Sequence, residues 1–256
     1  PVDGEIIRFS NSHWSFSKTE LSQQLNNIKV DIINDFTAIA YSISSLQSDE
    51  WYQLGSGTPQ ADKPVAILGP GTGLGMCTLV PVEQGFVVLD GEGGNTHFAP
   101  ATSQEIAILN ELKTRFELVS IEHLLSGAGI VNIYQTLCKF QSTKFRYHTA
   151  AEISAAAVEG SDGLAIEALL VFCNILGATA GNLAMIMGAR GGVYIAGGIT
   201  PRIINFIDNS ECRLRFEDKG QFQSYVKGIP LRVLLKDQPG LHGAVQKIKL
   251  NELAAK

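Results

Sequence analysis

Apolar and polar positions fall in short blocks whose period switches between two and about 3.6, the mark of strands interleaved with helices. Strands are predicted at residues 5–9, 28–33, 85–89, 193–196 and 231–235, and a strand–turn–strand hairpin at 66–80. Ser17-x-x-Glu20, Thr102-x-x-Glu105 and Thr149-x-x-Glu152 are capping-box signatures, each opening a helix. Asn34-Asp35-Phe36-Thr37 leads into a helix to about Leu46, Pro201 suits the first residue of another, and a terminal helix runs from Gly240. A polar, turn-rich stretch at 55–64 reads as a linker. Alternation of this kind indicates an α/β fold. Pro1-Val2-Asp3-Gly4 reads as a loop entering a strand, as in a chain joined partway through a fold.

Residues 168–189 carry no charge and are long enough to span a membrane. Asn174, Asn182 and Gly177-x-x-x-Gly181 within it point instead to a buried central helix whose small residues let a neighbour approach closely. Over the 256 residues the formal charge is −5 and no basic cluster occurs, which argues against a nucleic-acid surface. Cys77, Cys138, Cys173 and Cys212 are scattered, a pattern of reduced thiols in a cytoplasmic protein.

The densest signal is the turn Gly69-Pro70-Gly71-Thr72-Gly73-Leu74-Gly75. Glycine at alternate positions permits positive φ and brings several N–H groups to one anion. No Lys-Ser/Thr follows Gly75, so it is not a Walker A loop. Met76 stands where a dinucleotide loop needs its third glycine, and the chain continues as strand. A phosphate-gripping hairpin remains.

Asp35 lies past a strand and at a helix mouth, where ligands of α/β sheets gather and the helix N-terminus favours the ionised carboxylate. Such an acid accepts the proton of an attacking hydroxyl; equally, Asn34 and Asp35 are cap residues by type. Glu92 stands among Gly91, Gly93 and Gly94, which leave room for a small ligand, and Glu122 opens a predicted helix after Ser120. His13, His97 and His123 fit no metal-ligand spacing. Carboxylates with the Asn34 amide suit sugar hydroxyls, and a nearby phosphate hairpin turns that pairing into phosphoryl transfer.

Taken together these blocks resemble the bacterial-type glucokinase family of the actin-like sugar-kinase superfamily, from Ile6 to Gln246. The resemblance rests on Asn11 with Trp14 and Phe16, residues 33–38, Gly69 to Gly75 and Gly91-Glu92-Gly93-Gly94. It continues through Phe98-Ala99-Pro100, Ser126-Gly127, Gly181-Asn182-Leu183-Ala184, residues 195–199 and Phe216-Glu217-Asp218-Lys219-Gly220. It implies an actin-like (ribonuclease H-like) α/β fold of two domains around a cleft, 1–46 with 241–256 forming an incomplete small domain and 47–240 the large one. Asp35 matches the family's base, acting on the glucose 6-hydroxyl as it attacks the γ-phosphate. Asn34, Glu92 and Glu122 match its sugar ligands, with Asn95 at a further sugar contact. Gly71, Thr72 and Gly73 match a phosphate hairpin, and Gly197 and Gly198 the adenosine-side glycines. ATP, Mg2+ and glucose are thereby implied, with a homodimer, a cytoplasmic location, and the C-terminal helix folding back on the small domain.

Two departures stand out. Asn95 replaces the family's histidine, which keeps a donor and an acceptor but can shift sugar preference. The family's first phosphate hairpin, Asp-x-Gly-Gly-Thr, is not in this sequence; Asp90-Gly91-Glu92-Gly93-Gly94 aligns with the sugar loop instead. The chain alone is therefore expected to turn over slowly or not at all. The rival readings are a non-catalytic sugar-binding or regulatory remnant of the same fold, and a hydrolase pairing Asp35 with Glu92.

Overall fold

A computed structural model describes residues 4–8, 14–83 and 85–254. The readings placed on residues 1–3, Phe9, Asn11 and His13 lie outside the described residues. Strands β1 (Ile6–Arg8) and β2 (Ser15–Ser17) pair antiparallel and lead into α1 (Lys18–Gln24). The Ser17 hydroxyl caps α1 by accepting the Glu20 N–H at 3.1 Å. The Glu5 carboxylate adds a further cap by accepting from the Ser17 hydroxyl and the Thr19 N–H.

The strand predicted at 28–33 does not form. The segment has no partner strand among the described residues, and the Ile28 carbonyl accepts the Ser22 hydroxyl instead. It delivers the chain to α2 (Asp35–Ile43), three residues shorter than predicted.

The main sheet has six strands in the order β3-β8-β7-β4-β5-β6. These are β3 (Trp51–Leu54), β4 (Val65–Pro70), β5 (Leu74–Val82), β6 (Gly85–Gly91), β7 (Gly192–Ile195) and β8 (Leu231–Leu234). Strands β4, β7 and β8 run parallel; the β4-β5-β6 meander and β3 pair antiparallel. Strand β3 was not foreseen: its four residues are too few to show a period, and pairing with β8, 177 or more positions away, defines it.

Both faces of the sheet are covered, so its central strands read as apolar runs. Ala66 and Leu68 of β4, with Val193 and Ile195 of β7, face the larger core. That core is built by α3 (Ser103–Leu112), α4 (Gly127–Phe140), α5 (Ala150–Glu159), α6 (Gly163–Met187), α7 (Ile204–Asn209), α8 (Cys212–Glu217) and α9 (Gln223–Lys227). Ile67, Tyr194 and Ala196 point the other way, onto Ala40 and Ile43 of α2. The terminal helix α10 (Pro239–Ala254) packs on α2. There a Cβ at Gly243 would overlap the Ala38 carbonyl.

Helix α6 is the buried central helix expected at 168–189, with Ala168, Leu169, Phe172, Leu176 and Ala180 fully covered. Gly177 and Gly181 do admit a close neighbour, since a side chain at either would overlap the Cys212 or Phe216 carbonyl of α8. All four cysteines are free and buried. Pro201 takes the second, not the first, position of a 3-10 turn, Thr200–Ile203.

Candidate functional site

The first residues of β5 organise the candidate residues. The hairpin has the predicted shape, with Gly69 opposite Gly75 and Pro70 opposite Leu74. Its glycines serve a different purpose from the one expected: none of Gly69, Gly71, Gly73 or Gly75 has positive φ. What Gly69 and Gly75 provide is space, because a Cβ on either would run into the Phe36 ring. Phe36 is the residue after Asp35, and its carbonyl accepts the Cys77 thiol at 3.3 Å. Asp35 is thus anchored beside the hairpin base by its neighbour's packing.

Helix α2 begins as the residue types dictate. Asn34 is the N-cap, its Oδ1 accepting the Phe36 N–H at 2.8 Å and the Thr37 N–H at 3.4 Å. Its side-chain NH2 group has no hydrogen-bond partner among the described residues. Asp35 is the first helical residue and is exposed; Oδ1 accepts the Phe36 N–H at 2.9 Å. The Asp35 and Asp90 carboxylates add to burial, the larger cause, in pushing the Cys77 thiol up to about 12. Asp35 and the strand pair β5–β6 therefore share one electrostatic neighbourhood.

The acidic loops reach the same strand start. In register, β6 ends with Gly91 opposite Met76, so Gly75 and Leu74 have no β6 partner and the turn that follows β6 lies against Leu74 instead. The chain turns at Glu92 into a 3-10 turn, Gly93–Asn95, in which the Asn95 N–H donates to the Glu92 carbonyl at 3.0 Å. Gly93 and Gly94 lie so close to Met76 and Leu74 that side chains there would overlap them. These glycines bind loop to strand rather than clearing space for a ligand; Glu92 and Asn95 themselves are exposed.

Glu122 arrives on another 3-10 turn, Ile121–His123, held to the first loop by the Ile121 N–H on the Thr96 carbonyl at 2.9 Å. Glu122 Oε2 accepts the Leu74 N–H at 2.8 Å. Its other oxygen has no hydrogen-bond partner within the described residues. His123 caps its own turn, Nδ1 accepting the Ser120 N–H at 3.0 Å.

On the far side of the hairpin, the Gly71 carbonyl accepts the Gly127 N–H at 2.9 Å and the Gly71 N–H donates to the Gly73 carbonyl at 2.8 Å. The Thr72 and Gly73 N–H groups find no acceptor among the described residues, as an anion-binding turn requires. Gly71 and Thr72 open on a cavity of about 690 Å³ walled by α5, the start of α4 and the turn at Ile199, Arg202 and Ile203. Gly73 faces Glu122 and does not line that cavity. Gly197, at φ +90°, nests on the Pro70 carbonyl, and with Gly198 it lines an adjoining cavity of about 420 Å³. Arg202 lines both spaces.

Asn34 and Asp35 therefore lie beside the hairpin base, Glu92 and Asn95 on a turn that packs against Met76 and Leu74, and Glu122 on Leu74 itself, while Gly71 and Thr72 line one cavity and Gly197 and Gly198 another. The Leu74 N–H, Arg202 and the α5 wall were not singled out in the sequence. The small residues Ala150, Ala151, Ser154 and Ala155 recur on one face of α5 beside buried Ile153 and Ala157, a stripe that could have marked that wall.

A sequence profile of the family described as Glucokinase matches residues 1–251. The glucokinase of Chromobacterium violaceum is 44% identical over 243 residues, covering 95% of this chain and 70% of that protein. The crystal structure of a glucokinase from an Antarctic psychrotroph superposes with a TM-score of 0.88 at 32% identity, over 97% of this chain and 77% of that one. A ROK family glucokinase from Streptomyces griseus, solved in complex with glucose and AMPPNP, shares the fold at a TM-score of 0.59 and 18% identity, over 89% of this chain and 70% of that one.

Proposed function

The chain belongs to the glucokinase family, and from that premise we propose that it transfers the γ-phosphate of ATP to the 6-hydroxyl of glucose. Asp35 takes the hydroxyl proton as the oxygen bonds to the γ-phosphorus and the bond to the ADP oxygen breaks. Asn34, Glu92, Asn95 and Glu122 hold the other hydroxyls. The Thr72 and Gly73 N–H groups hold phosphate, and the cavity of about 690 Å³ holds the nucleoside. Gly197 and Gly198, the adenosine-side glycines of the resemblance, line the adjoining cavity.

Among the described residues no three His, Cys, Asp or Glu side chains gather to hold a metal. Mg2+ in this reading arrives with ATP, held by the substrate's phosphates and water. The observation that supports the proposal is the packing of the Phe36 ring against Gly69 and Gly75, which ties the residue after Asp35 to the two strands that flank the hairpin turn. In a hydrolase pairing Asp35 with Glu92, that turn and the cavity beyond it have no task.

Residues 1–46 with 241–256 and residues 47–240 are proposed as two domains. The chain passes between them where the Glu50 carbonyl accepts the Leu235 and Lys236 N–H groups, at 2.8 and 3.1 Å. Association as a homodimer and residence in the cytoplasm belong to the same proposal; the free, buried cysteines support a reducing compartment.

Calorimetric titration with glucose and with MgATP, followed by a coupled assay for glucose 6-phosphate, tests the reading. Saturable binding of both ligands is expected, with slow turnover, since the sequence has no Asp-x-Gly-Gly-Thr hairpin. Failure to bind either ligand, or release of nitrophenol from a nitrophenyl glucoside without ATP, would overturn it.

A further inference from the structure

We propose that Arg202 is a ligand of the nucleotide's phosphates, an inference that rests on the ATP reading above. Arg202 sits in the turn Thr200–Ile203 and lines both the cavity bounded by Gly71 and Thr72 and the one bounded by Gly197 and Gly198. A group reaching from the first space into the second passes this side chain.

The backbone beneath it is fixed. Thr200 is fully buried, and its hydroxyl donates to the Ala196 carbonyl at 3.0 Å and the Gly197 carbonyl at 3.3 Å. Ile203 is buried, and the Arg202 N–H donates to the Ile199 carbonyl at 3.1 Å. The guanidinium itself is exposed and has no ion-pair or hydrogen-bond partner among the described residues. The other cation lining these cavities, Lys236, is paired with Glu50. Arg202 is the one charged residue on the wall of the larger cavity.

Charge balance gives this cation its task. The hairpin offers backbone dipoles but no lysine, while Asp237 lines the second cavity and Glu122 is hydrogen-bonded to the hairpin at Leu74. A guanidinium supplies a permanent positive charge and a planar pair of N–H groups matched to phosphate oxygens. The small, largely apolar α5 wall suits a nucleoside, which leaves Arg202 at the phosphate end.

Titrations of the 256-residue chain and of its Arg202→Ala and Arg202→Lys variants with ATP, ADP, adenosine and glucose test this. For Arg202→Ala a loss of about tenfold or more is expected for ATP and ADP, from the strength of hydrogen bonds to charged groups. Adenosine and glucose affinities are expected to hold, and Arg202→Lys to recover part of the loss. Unchanged ATP affinity in Arg202→Ala overturns the assignment, and so does an equal loss for adenosine, which marks a disturbed cavity. If the parent chain binds no nucleotide, the ATP reading fails and takes this proposal with it.

Discussion

Glu122 Oε2 accepts a hydrogen bond from the Leu74 N–H at 2.8 Å, joining residues 48 positions apart. One oxygen thereby holds the hairpin, and in the proposed function the other is left for a sugar hydroxyl. The fit is tight, as a Cβ on Gly73 would come within 2.5 Å of the same oxygen. Glu122→Gln retains an acceptor for Leu74 but presents an NH2 group to the sugar; Glu122→Ala removes both. Both variants should bind glucose more weakly, and only Glu122→Ala should also bind ATP more weakly, by about 1–2 kcal/mol for the stranded N–H. Equal ATP affinities in the two variants would show that the hairpin does not depend on this bond.

Asp35→Asn separates chemistry from folding. The amide oxygen can still accept the Phe36 N–H, and the Asn34 cap is untouched. Melting temperature and glucose affinity should therefore stay near those of the parent, while turnover falls by about 10²–10⁴-fold with loss of the base. The coupled assay, run beside a thermal melt, reads both; a variant with undiminished turnover would remove Asp35 from the mechanism.

Gly75 and Gly71 should respond differently to alanine. At Gly75 the new methyl would overlap the Phe36 ring, and overpacking of this kind costs about 1–3 kcal/mol. At Gly71 nothing lies within 4 Å and φ is not positive, so the expected change is within about 0.5 kcal/mol. Urea midpoints of the two variants give the comparison. Since Phe36 adjoins Asp35, Gly75→Ala should also slow turnover more than its stability loss explains. Equal midpoints for the two variants would contradict the packing argument.

Much of this was legible because the signals are local. Apolar runs at β4, β5 and β7 report a sheet covered on both faces, and Thr149 with Glu152 forms the complete reciprocal capping box its spacing announces. The hairpin was found by its glycines, although their role is clearance for Phe36 and Glu122, which sequence spacing does not encode. Residues 28–33 carry strand-like residues but meet no partner strand among the described residues, and β3 is defined by its pairing with β8. The cavity beyond the hairpin joins α5 to the turn at Ile199 through tertiary packing alone, so its lining had no sequence pattern beyond a stripe of small residues.

The link between Glu50 and Lys236 predicts a pH dependence. It lies where the chain leaves α2 for β3 and where it leaves β8 for α10, and the Glu50 carboxylate also accepts the Gln47 N–H at 2.8 Å. The hydrogen bond from Lys236, then that from Gln47, then the charges of Lys236 and His242 outweigh partial burial and hold the Glu50 carboxyl below its usual range. A carboxylate depressed in the folded state stabilises the fold above its unfolded pKa, and the contribution fades as pH falls through the folded value. Lys236→Met removes the first-named cause, so the variant should unfold at lower urea concentration at pH 7. The gap should narrow below about pH 4.3, the ordinary glutamate value, as the parent's Glu50 is protonated in its turn. Urea midpoints of both proteins from pH 7 to pH 3 measure this, and a gap of constant size across that range would mean that Lys236 contributes packing rather than charge.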